Sequence, residues 1–132
     1  MVTFPRIAAA VIAALFLILG SARSAPDTTL VSKICNGATY NPFSTYATNV
    51  AQVLLCLPDA AYSGFNKYCQ STESNDDCYG HAACNGALHQ PDCATCLEAI
   101  VNRINNECML SIGVQYQLKD CRLRYEHYPF TE

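Results

Sequence analysis

Nine cysteines lie between Cys35 and Cys121, and none precedes Cys35. Thiols this dense in a short chain take their meaning from the compartment: disulfides where it is oxidising, metal or redox chemistry where it is reducing. The N-terminus supplies the address. Arg6 leads into Ile7–Gly20, a run of apolar and small residues that is too short for a membrane span of about 20 residues. Ala22-Arg23-Ser24 follows, with small residues at the −3 and −1 positions of a cleavage site. Basic start, apolar middle and small-residue exit are the layout of a secretory signal. Residues 1–24 are therefore expected to leave, and 25–132 to form one secreted, extracellular, cysteine-rich domain stapled by disulfides.

Loss of Arg6 and Arg23 leaves six basic side chains against eleven acidic ones, a net charge of −5 where the whole chain has −3. Nucleic acid is excluded as a partner on that balance, because phosphate binding is driven by basic patches. No second long apolar run follows, so a membrane span in the mature chain is not expected either.

Periodicity outlines the elements. Leu30–Cys35 reads as a strand. Asn41-Pro42 looks like a helix N-cap followed by proline at the first helical position. Phe43, Tyr46, Val50, Val53, Leu54 and Leu57 continue it as one apolar stripe, which Pro58 ends. Tyr62–Gln70 and Cys78–Asn85 read as a hairpin joined by the polar Ser71–Asp77. Gln90-Pro91-Asp92 opens a second helix, whose buried face carries Cys93, Cys96, Leu97, Ile100, Val101 and Ile104. Ile112, Val114, Tyr116 and Leu118, then Leu123 and Tyr125, alternate with polar residues as half-buried strands do. The order β-α-β-β-α-β-β predicts an α+β fold: an antiparallel sheet of about five strands with two helices on one face.

The most specific local pattern is Cys84-x8-Cys93-x2-Cys96. Cys93 and Cys96 lie three apart, so a helix projects both from one face. In a secreted chain with no histidine at matching spacing, they read as anchors for the helix rather than as a metal or redox site. The same motif resembles the ginkbilobin-type domain, which is shared with the ectodomains of plant cysteine-rich receptor-like kinases. Asn36 after Cys35, Tyr62-Ser63-Gly64-Phe65, Val101-Asn102-Arg103-Ile104 and Arg124-Tyr125-Glu126 carry the resemblance too, which runs from about Thr28 to Phe130. It implies three bridges, Cys35–Cys108, Cys84–Cys93 and Cys96–Cys121, each contributing roughly 2–4 kcal/mol. Cys56, Cys69 and Cys78 depart from the family pattern. Cys69 and Cys78 sit on the two arms of the hairpin and are expected to form a fourth bridge. Cys56 is then unpaired, about 110° from the centre of the apolar stripe. The chain is accordingly expected as a monomer with a free thiol or as a Cys56-linked dimer.

The resemblance also implies a function. Lectins of this type hold mannose with an Asn after the first cysteine, an Arg on the penultimate strand and a Glu on the last. An amide, a guanidinium and a carboxylate suit hydroxyls that both donate and accept. Asn36 and Glu126 match; the middle position is Gln115, which lacks the fixed fork and charge of Arg. Arg124 shares that outward face and is the candidate to take over part of the role. The expected function is a secreted plant defence lectin, antifungal through mannose-type glycans of the fungal wall. The alternative is a protein-recognition module, or a seed or embryo storage protein, in which Gln115 has weakened sugar binding. No catalytic residue, cofactor or metal is expected. His81, His89 and His127 are scattered, Glu73, Asp76 and Asp77 read as solvated loop charge, and no environment-tuned carboxylate pair of a glycosidase is visible. The chain has no Asn-x-Ser/Thr acceptor, so N-glycosylation is not expected.

Overall fold

A computed structural model describes residues 25–132; the expected secretory segment and its cleavage point lie outside the described residues. Five strands form one antiparallel sheet: β1 (Leu30–Cys35), β2 (Asn66–Ser71), β3 (Cys78–Cys84), β4 (Val114–Leu118) and β5 (Cys121–Glu126), in the spatial order β1-β4-β5-β3-β2. Two helices, α1 (Thr45–Cys56) and α2 (Gln90–Glu107), complete the α+β architecture.

The inner face of the sheet is written in the period-two strands. Val114, Tyr116 and Leu118 on β4 and Cys121, Leu123 and Tyr125 on β5 are buried, while Gln115, Gln117 and Arg122 face out. Val50 and Val53 of α1, with Leu57 just past its end, close the core from one side, Leu97, Ile100 and Ile104 of α2 from the other. Gly80 on β3 makes the first contact possible, since a Cβ there would collide with Val53.

Two helix boundaries depend on local polar groups. Ser44, not Asn41, caps α1: its hydroxyl accepts from the Ala47 amide at 3.2 Å. Asn41 instead closes a turn on the Phe43 amide at 2.8 Å. The helix therefore starts at Thr45, and Phe43 falls outside it at 95% exposure. Its end matches expectation more closely, because the chain tightens into a 3₁₀ turn, Leu57–Tyr62, with Pro58 in its first turn. That turn runs on through Gly64 and Phe65, both at positive φ, which delays β2 to Asn66.

The expected solvated loop between β2 and β3 is held from inside. Asn49, fully buried on α1, donates to the carbonyls of Glu73 (3.1 Å) and Asp76 (2.7 Å) and accepts from the Ser71 hydroxyl (2.7 Å). A polar residue on an apolar stripe is tolerable when every group it carries is paired.

Four disulfides staple the elements: Cys35–Cys108, Cys56–Cys69, Cys84–Cys93 and Cys96–Cys121. Cys93 and Cys96 are both buried on one face of α2 and tie it to β3 and β5. The fourth bridge corrects the expected Cys69–Cys78 pairing. The hairpin register sets Cys69 opposite Gly80 and Cys78 opposite Ser71, so the two cysteines are diagonal neighbours. Such neighbours lie about 7–8 Å apart, beyond ordinary disulfide reach. Cys69 joins Cys56 at the end of α1 instead, and Cys78 is the free, buried thiol. With Cys56 consumed inside the chain, the expected Cys56-linked dimer has no thiol to form it.

Candidate functional site

Three adjacent strands bring the sequence-predicted residues to one end of the sheet. β4 pairs with β1 on one side and β5 on the other, with Ile34 opposite Gln115 and Gln115 opposite Arg124. Asn36 follows directly after β1, Gln115 is the second residue of β4, and Glu126 is the last of β5. Together with Ile34, Gly113 and Tyr128 they line a depression of about 200 Å³.

Each side chain is held differently. The Asn36 amide nitrogen of the main chain donates to the Gly113 carbonyl at 2.9 Å, and its Oδ1 accepts from Ala38 at 3.0 Å. Its Nδ2 group has no protein partner among the described residues, and neither has the Gln115 side chain. Glu126 is only 5% exposed although it belongs to the outward-facing set of β5. Its Oε2 accepts from Arg124 Nε (3.1 Å) and the Tyr128 hydroxyl (2.9 Å). Oε1 takes no hydrogen bond from the protein and lies against Gly113, where a side-chain carbon would collide with it. Glycine at 113 thus makes room for the carboxylate.

Two buried tyrosines fix the segment that carries Gly113. Tyr46 donates to the Ile112 carbonyl at 2.6 Å and Tyr125 to that of Ser111 at 2.7 Å. Burial and the surrounding acidic groups push both phenols above the ordinary tyrosine range, so they stay protonated donors.

Arg124 does not line the depression. It meets Glu126 at 3.1 Å and Glu132 at 3.2 Å, donates to the Tyr128 hydroxyl at 3.2 Å, and lies 4.1 Å over the Phe130 ring. Burial works against its charge, but these hydrogen bonds outweigh it and hold its pKa above the usual arginine value. Its guanidinium is committed to orienting Glu126, which the β-strand pattern did not reveal, because Glu132 and Phe130 return from the C-terminal segment. Tyr128 and Gly113 were also missed. The signal available was position alone: Tyr128 is two residues beyond Glu126, and Gly113 immediately precedes β4.

The histidines remain apart. His81 is buried between Glu132 (2.8 Å) and Asn66 (2.6 Å), His89 precedes α2, and His127 is exposed. Among the described residues, no three His, Cys, Asp or Glu side chains gather as a metal cluster. The arrangement offers two amides and a desolvated, oriented carboxylate, a set suited to hydrogen-bonding a polyhydroxylated ligand.

Comparison with known proteins places this architecture. Residues 34–128 match the family described as salt stress response/antifungal, and the chain belongs to it. It is 34% identical over 122 residues to antifungal protein ginkbilobin-like protein 1 of Picea glauca, covering 89% of this chain and 86% of the relative. It is also 34% identical over 114 residues to plasmodesmata-located protein 7 of Arabidopsis thaliana, of which it spans 38%. The fold is similar to the tandem DUF26 ectodomain of a cysteine-rich receptor-like protein of Arabidopsis thaliana. That match has a TM-score of 0.72 at 24% identity, over 78% of this chain and 50% of the other.

Proposed function

We propose that this chain is a secreted plant defence lectin with antifungal activity, binding mannose-type glycans at the depression between β1, β4 and β5. The observation that carries the reading is the partnerless Oε1 of Glu126, facing the same small space as the side-chain amides of Asn36 and Gln115. Glu126 would accept from two sugar hydroxyls, Asn36 and Gln115 would donate, and Ile34 and Tyr128 would cover the apolar face of the ring. The volume lies below the roughly 300–1,000 Å³ of pockets for larger small molecules, which favours a single hexose here. Binding itself is the activity, with no bond broken. The antifungal names of the relatives support the defence role, and the leader-like residues 1–24 support export.

Calorimetric titration of the oxidised protein with methyl α-mannoside tests the site. Glu126→Gln should weaken binding by roughly tenfold or more, as expected for losing a charge-assisted hydrogen bond. Gln115→Arg should strengthen it. Full affinity in both Asn36→Ala and Glu126→Gln would refute the assignment.

One observation favours a second reading, a protein-recognition module with decayed sugar binding. Gln115 stands at the position of the family arginine, and Arg124 is spent on Glu126 and Glu132, so among the described residues no lysine or arginine lines the depression. Absence of heat from the natural protein, with binding restored in Gln115→Arg, would select that reading.

A further inference from the structure

A second cavity lies beside the Glu126 depression, not within it. It measures about 550 Å³ and is bounded by α1's entry, the β2–β3 loop and the segment after β5. Ile112 lines the larger one and Gly113 the smaller. Tyr128 is the residue common to both linings.

Its walls have a consistent chemistry. Tyr40, Tyr46, Tyr79 and Tyr128 supply aromatic faces, and Asp76 and Asp77 supply carboxylates, with no lysine or arginine in the lining. Tyr79 donates to Asp77 at 3.0 Å, which aims one carboxylate. The Asp76 carboxylate and the Tyr40 hydroxyl take no hydrogen bond from the described protein, and so are available to a ligand. The loop presenting Asp76 is preset: Asn49 fixes it from beneath, and Ser74 and Asn75 are held at positive φ, 56° and 58°. Flat aromatic faces beside oriented acceptors are what a sugar ring needs, since it has apolar C–H faces and a rim of hydroxyls. The uncompensated acidic charge disfavours an anionic chain.

We propose that this tyrosine-lined cleft binds the further units of an uncharged oligosaccharide whose first unit occupies the Glu126 depression, so that the ligand is a chain of two or more sugars. This rests on the glycan reading of that depression. Tyr128 is the shared wall at the junction, and the cleft's larger volume accommodates the rest of the chain.

The test compares methyl α-mannoside with a linear α-linked mannotriose by calorimetry, in the natural protein and in Asp76→Ala. Asp76 is exposed and outside the Glu126 depression, and far-UV circular dichroism checks the variant's folding. The natural protein should bind the trisaccharide roughly tenfold more tightly than the monosaccharide. The variant should lose most of that preference while keeping its monosaccharide affinity. Equal affinity for both ligands in the natural protein would overturn the cleft and leave the Glu126 site standing. Trisaccharide binding that is sensitive to Asp76 but not to Glu126→Gln would overturn the Glu126 site and this linked groove, leaving only an independent cleft. Binding of neither ligand overturns both. Trigalacturonate, an anionic probe of equal length, should give no heat; binding comparable to mannotriose would overturn the charge argument.

Discussion

Cys78 shows how far a single side chain can be sealed. It is fully buried, and burial pushes its thiol up to about 12. Thiolate is the reactive form, so iodoacetamide at neutral pH should label no cysteine in the native protein and one after guanidinium unfolding. Peptide mapping without reduction should put the label on Cys78; labelling of native protein at Cys56 would restore the pairing expected from the sequence. The sign of the pH effect follows from a raised folded pKa. Stability is complete below the ordinary thiol range and declines as pH climbs from about 8.5 toward 12; Cys78→Ala should decline less over that window.

Gly113 is the second informative residue. Its missing side chain is the space taken by the Glu126 carboxylate. Gly113→Ala should cost about 1–3 kcal/mol through overpacking and displace Oε1 from the depression, weakening mannoside binding. Gly37 has nothing within 4 Å of its Cβ position, so Gly37→Ala serves as the control, with binding unchanged in calorimetry. At this scale the sequence was readable where chemistry is local. Asn36, Gln115 and Glu126 do converge, whereas the fate of Arg124 depended on Glu132 and Phe130, contacts that no strand periodicity encodes.

At the level of elements, α1 matters for what its buried polar group does beyond the helix. Asn49→Ala would strand the carbonyls of Glu73 and Asp76 and the hydroxyl of Ser71. The expected cost is about 1–3 kcal/mol, with faster amide exchange in residues 72–77 than elsewhere. Ser44→Ala, which removes only the cap, should cost about 1 kcal/mol and leave that loop protected; thermal denaturation and exchange together separate the two. Strand and helix existence was legible because periods of two and 3.6 are printed in the apolar residues. The boundary at Thr45 was not, because Asn41 and Ser44 are both competent caps and only the fold chooses between them. The hairpin's cysteine pairing failed for a similar reason: three candidate thiols lie close in sequence, and register decides which two can meet.

For the molecule as a whole, the bridges differ in the length of chain they restrain. Cys35–Cys108 has a sequence separation of 73 and Cys84–Cys93 one of 9. Chain-entropy arguments give about 4 kcal/mol for the first and about 2.5 kcal/mol for the second. Replacing each pair by serines should therefore lower the denaturant midpoint more for the long bridge, in equilibrium unfolding by urea. Either loss is large beside a net stability of about 5–15 kcal/mol.

The overlap of the bridges has another consequence. Every peptide bond from Cys35 to Cys108 lies inside the first bridge, and every bond from Cys96 to Cys121 lies inside the last. A protease that cuts once anywhere between Cys35 and Cys121 therefore releases no fragment. The nicked chain stays a single covalent object, its mass increased only by the added water, until a reductant opens it.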